Sequence, residues 1–282
     1  FGTNTPQGTI DAILAYDYYV DVTERHDVRA AGVKLDGPLV DLPGGQLRFA
    51  VGAEARYEAF EQRGYYLSSA FNVDENMERD IGAVYGELFV PIFGDGNKAP
   101  LMNSLTLSIS GRYDNYSDFG STTNPKIGVN WEPMEGLAFR GSYGTSFRAP
   151  GLRQLGATIG SYYTTAAGAA ALNPALAGVQ TVYLSGGNPD LDPEEATTYS
   201  FGLDLNPTSL PGFRASLTYY NVDYTDVIAS PTLPQVFADS ALTNSLVYYD
   251  SAYAAGSNPD IDNLLSIAIP SGGAPITGNP IY

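Results

Sequence analysis

The chain has 282 residues, of which 44% are hydrophobic, 12% aromatic and only 16% charged. Its 31 acidic residues against 14 basic ones give a net charge of −17, which argues against a nucleic-acid binder, because phosphates require a basic face. There is no cysteine, which fits an oxidising compartment. No run approaches the ~18 apolar residues of a membrane-spanning helix, a test that a β-barrel wall would also pass, since alternation halves its hydrophobicity.

The predicted elements are long alternating strands, in which successive side chains point to opposite faces. Over 9–22, Ala12, Leu14, Tyr16, Tyr18, Val20 and Val22 oppose Asp11, Asp17 and Asp21. His26 falls in a loop before a second strand, 28–41, whose charges lie on both faces and leave its register open. Over 47–61, Leu47, Phe49, Val51, Ala53, Ala55 and Tyr57 oppose Arg48, Glu54, Arg56 and Glu58. Over 78–92, Val84, Leu88 and Val90 oppose Tyr85 and Glu87. In 104–116, Leu105, Leu107, Ile109 and Tyr113 oppose Ser108, Arg112 and Asp114, and in 123–133, Ile127, Val129 and Trp131 oppose Lys126, Asn130 and Glu132. Strand 137–148 sets Phe139, Tyr143 and Phe147 against Arg140, Ser142 and Arg148. Strand 194–206 sets Tyr199, Phe201 and Leu203 against Ser200 and Asp204. The last, 213–227, sets Phe213, Leu217 and Tyr219 against Arg214, Ser216 and Thr218, then slips phase after Tyr219 as at a bulge.

These nine strands are too long for an ordinary sheet. Twelve residues at ~3.3 Å each, tilted by roughly 40°, rise about 30 Å, the thickness of a bilayer core. Up-and-down pairing puts "LPGGQ", 93–103, "MEG" and "PTSLPG" at one end. It puts 62–77, "SDFGST", 149–193 and everything after Ile228 at the other. Short turns at one end and long connections at the other are the pattern of outer-membrane barrels. Trp131, Phe139 and Phe213 fall near the short-turn rim, and Tyr113, Phe147, Tyr199 and Tyr219 near the long-loop rim, as interfacial girdles do. The fold class is therefore all-β: an antiparallel up-and-down transmembrane β-barrel fragment, its sheet open at both edges. Its outward face carries Leu107, Ile109, Val129, Phe139, Phe201 and Leu217. Within the last segment, Ile261, Leu264, Leu265 and Ala268 share a helical face, which predicts a short helix near 259–267.

Three stretches resemble successive segments of TonB-dependent outer-membrane receptors. They are "GRYDNYSDFGSTTNPKIGVNWEP" (111–133), "LAFRGSYGTSFRAPGLRQL" (137–155) and "GGNPDLDPEEATTYSFGLDLNP" (186–207). The resemblance is strongest over 105–225. It implies a plugged 22-stranded barrel, of which 1–282 is a middle arc lacking the plug and the C-terminal strands. It further implies energy-coupled uptake of a scarce nutrient such as a siderophore, cobalamin or glycan, with a plug that engages the TonB complex. Outer-membrane lipid and the small-molecule nutrient are the other partners, and the cell outer membrane of a Gram-negative bacterium is the location. The competing class is a passive porin or a structural or adhesin barrel.

Arg48, Glu54, Arg56, Glu87, Arg112, Lys126, Arg140 and Arg148 all face the polar interior. An arginine facing hydrocarbon costs about 2–4 kcal/mol at the midplane, so these side chains point inward, and the resemblance makes the plug their partner. For Arg140 the expected partner is the plug, or a carboxylate of the neighbouring strand such as Glu132. Ligand contacts belong on long loops, where Tyr65, Tyr66, Tyr162, Tyr163, Tyr248, Tyr249 and Tyr253 offer stacking area and a hydroxyl. A single histidine and no HExxH, CxxC or phosphate loop leave no catalytic residue to name, and no cofactor is expected. Asp114, Asp118 and Gly120 lack EF-hand spacing, so no metal site is expected either.

Overall fold

In the computed structural model, the described residues are residue 6 and residues 20–66, 71–156, 160–164, 181–246 and 269–270. β1 (Val20–Leu42) turns at Pro43–Gly44 into β2 (Gly45–Tyr66), and β3 (Phe71–Phe93) returns beside it. β4 (Ser104–Tyr116), β5 (Gly120–Met134) and β6 (Leu137–Arg148) follow as further antiparallel neighbours. A long connection then carries a helical turn, α1 (Leu152–Leu155), and two short strands, β7 (Gly160–Thr164) and β8 (Thr181–Ser185). β9 (Glu194–Leu205) re-enters next to β6, and β10 (Ala215–Thr225) closes the order β1-β2-β3-β4-β5-β6-β9-β10. Two helices, α2 (Leu233–Ala238) and α3 (Ser240–Leu246), come next, and β11 (Ile269–Pro270) joins β7 and β8 in a separate three-stranded sheet.

Each face is read from the registers. Leu107, Val129, Gly141, Phe201 and Tyr219 succeed one another across β4, β5, β6, β9 and β10. One step along, Leu88, Ile109, Ile127, Tyr143 and Tyr199 do the same. Ile109, Val129, Phe201 and Leu217 are exposed, the last two at 64% and 70%, while Leu107 and Phe139 are half-buried. Large apolar side chains lined up in the open are what a lipid-facing wall requires and what a water-soluble sheet avoids. The reverse face runs Glu87, Ser110, Lys126, Gly144 and Thr198 across β3 to β9. β1 and β10 each have one neighbour, so the sheet is open at both edges.

Trp131 stacks on Phe139 with ring centroids 5.3 Å apart, and its indole N–H donates to the Leu101 carbonyl at 2.9 Å. This ties the short-turn rim to the 94–103 connection. Register shifts lie between Pro38 and Val40, Pro91 and Phe93, and Trp131 and Met134, all at that same end.

Four expectations are corrected. The strands expected at 9–22 and 28–41 are not separate over the described residues: β1 runs unbroken from Val20, and residues 9–19 lie outside the described residues. His26 is therefore not in a loop but in β1, opposite Phe60, with ring centroids 4.9 Å apart. Most of 62–77 is strand rather than long loop, because β2 and β3 stay paired out to Tyr66 and Phe71. No bulge follows Tyr219, since β10 holds its register against β9 to Thr225. The first three share a cause. At ~3.3 Å per residue and a tilt near 40°, a 22-residue strand rises roughly 55 Å, well past a bilayer core of about 30 Å. Beyond the lipid both faces meet water, so alternation stops marking the strand.

The helix expected at 259–267 lies outside the described residues, as do Tyr248, Tyr249 and Tyr253. The segment after Ile228 does contain helix, but at α2 and α3.

Candidate functional site

On the polar face some charges pair within the wall and others do not. Arg112 lies 2.9 Å from Asp114 and 3.5 Å from Glu54, and its guanidinium sits 5.7 Å from the centre of the Tyr85 ring. Asp114 is 1% exposed, so the arginine supplies the compensation a buried carboxylate needs. Arg56 Nε lies 3.1 Å from Glu58 without hydrogen-bond alignment, and its Nη2 reaches the Tyr116 hydroxyl at 3.4 Å. Arg48, Glu87 and Lys126 are exposed and form no ion pair among the described residues.

One residue the sequence reading passed over organises the long-loop end. Arg79 is 8% exposed and donates from Nε and Nη2 to Glu58 at 2.8 and 2.6 Å. Its Nη1 donates to the Pro150 carbonyl at 2.8 Å and to Asp118 at 3.3 Å. The Tyr116 ring lies beneath it, 5.3 Å from the guanidinium carbon. Its parity with Ile81, Ala83, Tyr85 and Glu87 was the available signal: counting back by twos from Glu87 puts it on the polar face. Phe60, Ile81, Ala83, Tyr116 and Leu155 are buried around it, the main apolar cluster among the described residues. The carboxylates of the calcium-like stretch are thereby occupied, Asp114 by Arg112 and Asp118 by Arg79.

The two most distinctive sequence stretches meet physically. Arg148 ends β6 directly opposite Glu194, which opens β9, with Nε 3.3 Å from Oε2. Glu194 also accepts from the Ile228 N–H at 3.0 Å, tying in the exit from β10. Further out, the Asn188 N–H donates to the Gln154 carbonyl at 2.7 Å. A Cβ on Gly187 would strike the Gly156 carbonyl, so that close approach requires glycine. Between β6, β9 and β10 an open cavity of about 450 Å³ is lined by Ser146, Phe147, Arg148, Ala196 and Tyr224.

Arg140 faces the polar interior, but its partner is not Glu132. Its guanidinium grips Asp204 on β9, with Nε 2.5 Å from Oδ2 and Nη2 3.1 Å from Oδ1, while Glu132 accepts from Gly136 N–H and Ser104 Oγ. Both β5 and β9 flank β6. The β5–β6 register shifts between Trp131 and Met134, where Glu132 lies, whereas the unbroken β6–β9 register sets Asp204 one step along the polar face from Gly202, the residue opposite Arg140. Of the loop tyrosines, Tyr65 and Tyr66 end β2, and Tyr162 and Tyr163 lie on β7, paired with Tyr183 and Val182.

A wall with one apolar and one polar face, tight turns at one end and long connections at the other, is that of an outer-membrane β-barrel. The chain belongs to the TonB-dependent receptor-like β-barrel family, whose model matches residues 2–258. It is 29% identical over 134 residues to an iron-regulated outer membrane virulence protein of Vibrio cholerae, a stretch covering 48% of this chain and 18% of that protein. The siderophore receptor PirA of Acinetobacter baumannii shares the fold with a TM-score of 0.54 at 19% identity, over 72% of this chain and 28% of that one. PirA of Pseudomonas aeruginosa gives a TM-score of 0.50 at 22% identity, over 71% and 32%. The chain thus spans less than a third of the length of each of these relatives. It is a protein of the Gram-negative outer membrane, and its family is one of transport receptors rather than enzymes.

Proposed function

We propose that this chain is part of the barrel wall of a receptor that takes up a scarce nutrient across the outer membrane with energy supplied through TonB. The single observation that carries the reading is the family match over 2–258. Relatives named as siderophore receptors and an iron-regulated protein support a ferric siderophore as the substrate class. In this reading the plug binds against the polar face, and the exposed Arg48, Glu87 and Lys126 are its contacts, because charges lacking a partner within the wall have most to gain from one. Glu54, Arg56, Arg112, Arg140 and Arg148 already pair within the wall and contribute to the plug's electrostatic surroundings. The tyrosines Tyr65 and Tyr66, Tyr162 and Tyr163, and Tyr248, Tyr249 and Tyr253 contact the ligand.

The test is uptake of radiolabelled iron, supplied as ferric siderophores, by cells carrying or lacking the full-length receptor. Uptake that needs both the receptor and TonB is the expected result. Receptor-dependent flux that persists without TonB would assign the chain to a passive barrel instead.

A further inference from the structure

The connection leaving β6 does not rise away from the barrel wall. Residues 149–156 cross the polar face, passing β5 and β4, and come to rest on β3 and β2. Pro150 and Leu155 are buried there, and α1 packs on both strands. Arg153 reaches as far as β1, 3.3 Å from Glu24. The returning segment lies on this crossing through the Asn188–Gln154 hydrogen bond.

We propose that residues 149–156 form a fixed strap across the mouth of the barrel and that Arg79 is its lock. A backbone carbonyl is a neutral acceptor, yet here it receives a charged N–H from an arginine whose other donors are held by Glu58 and Asp118. The guanidinium fork satisfies all of these acceptors at once, which a lysine ammonium cannot do in the same plane. Without the lock, the Pro150 carbonyl and two carboxylates lose their shared donor in a buried place. Among the described contacts the strap then keeps the burial of Pro150 and Leu155, the Asn188 hydrogen bond to Gln154 and the exposed Arg153–Glu24 pair, and surface ion pairs hold little. Resting on the uptake reading, the strap is a permanent edge of the ligand's way in, closing the β2–β3 side of the mouth.

Arg153 makes the proposal measurable, because it is an exposed trypsin site within the strap. Intact cells bearing the full-length receptor are treated with trypsin, and cleavage after Arg153 is followed by mass spectrometry. Heat-modifiable gel migration reports barrel assembly. Cleavage tracks the population of the released strap when release and return are fast. The wild type is expected to be cleaved slowly, Arg79→Leu about tenfold faster, and Arg79→Lys at a rate between them. An assembled Arg79→Leu receptor cleaved at the wild-type rate would overturn the proposal, as would a wild type cleaved as fast as that variant. Failure of both variants to assemble would also overturn it, since Arg79 would then hold the wall rather than the strap. Cleavage does not depend on transport: a receptor with the expected cleavage pattern and no ferric-siderophore uptake sinks the uptake reading and leaves the strap standing.

Discussion

Arg140 on β6 and Asp204 on β9 form a two-point contact across the polar face, and Asp204 also accepts from Ser216 Oγ on β10 at 2.7 Å. Three strands are thereby linked at one carboxylate. Both side chains of the ion pair are close to half exposed, so water screens them and the link is weak.

A double-mutant cycle on this pair is expected to show coupling below about 1 kcal/mol. Arg140→Leu should leave the receptor inserted and heat-modifiable, with only a small drop in the temperature at which its migration shifts. Loss of assembly in Arg140→Leu would mean that the side chain sits in a protein core, which would reverse the face assignment for β6.

Phe201 and Ser200 are neighbours in β9 on opposite faces, and Phe201 is 64% exposed. Phe201→Arg puts a charge into hydrocarbon and is expected to cost about 2–4 kcal/mol. Ser200→Arg enters the polar interior and should cost far less. Urea titration of the full receptor in lipid vesicles compares the two. Equal losses, or a larger one for Ser200→Arg, would contradict the barrel orientation.

Tyr85 lies across the neighbouring strand so that its ring occupies the space above Gly52, where a Cβ would collide with it. Gly52→Ala alone should destabilise by about 1–3 kcal/mol through overpacking. Combined with Tyr85→Ala, which removes the ring, the glycine substitution should become nearly neutral. Thermal unfolding of the single and double variants measures this, and additive losses would rule out the collision as the cause.

Glu194 holds both Arg148 and the Ile228 amide while its own side chain is 7% exposed. Glu194→Ala leaves that amide without its acceptor, a loss of about 1–3 kcal/mol. Deuterium uptake should accelerate in the peptide around Ile228 and stay unchanged in β4. Uniform acceleration in both would indicate global loosening instead.

The pleat is a local property and can be read from the order of residues alone. A period of two assigns faces strand by strand, so the apolar rows through Ile109, Val129 and Phe201, and the inward direction of Arg112 and Arg140, were legible locally. Counting connections then fixed which end carries the long loops. Contacts between strands depend on register and on how connections fold back. Up-and-down pairing already makes 194–206 the neighbour of 137–148, but Asp204 became Arg140's partner because the register sets Gly202 opposite Arg140 and Asp204 one step along the same face, and register is absent from either strand's pattern. Arg79 meets Pro150 because the chain folds back over two intervening strands. The length of β1 through His26 escaped detection for a solvent reason: above the lipid, Asp27, Arg29, Tyr57 and Glu78 occupy the outer face. Where both faces of a strand are wet, hydrophobic alternation carries no information, and only the hydrogen-bonded ladder to its neighbour defines the strand.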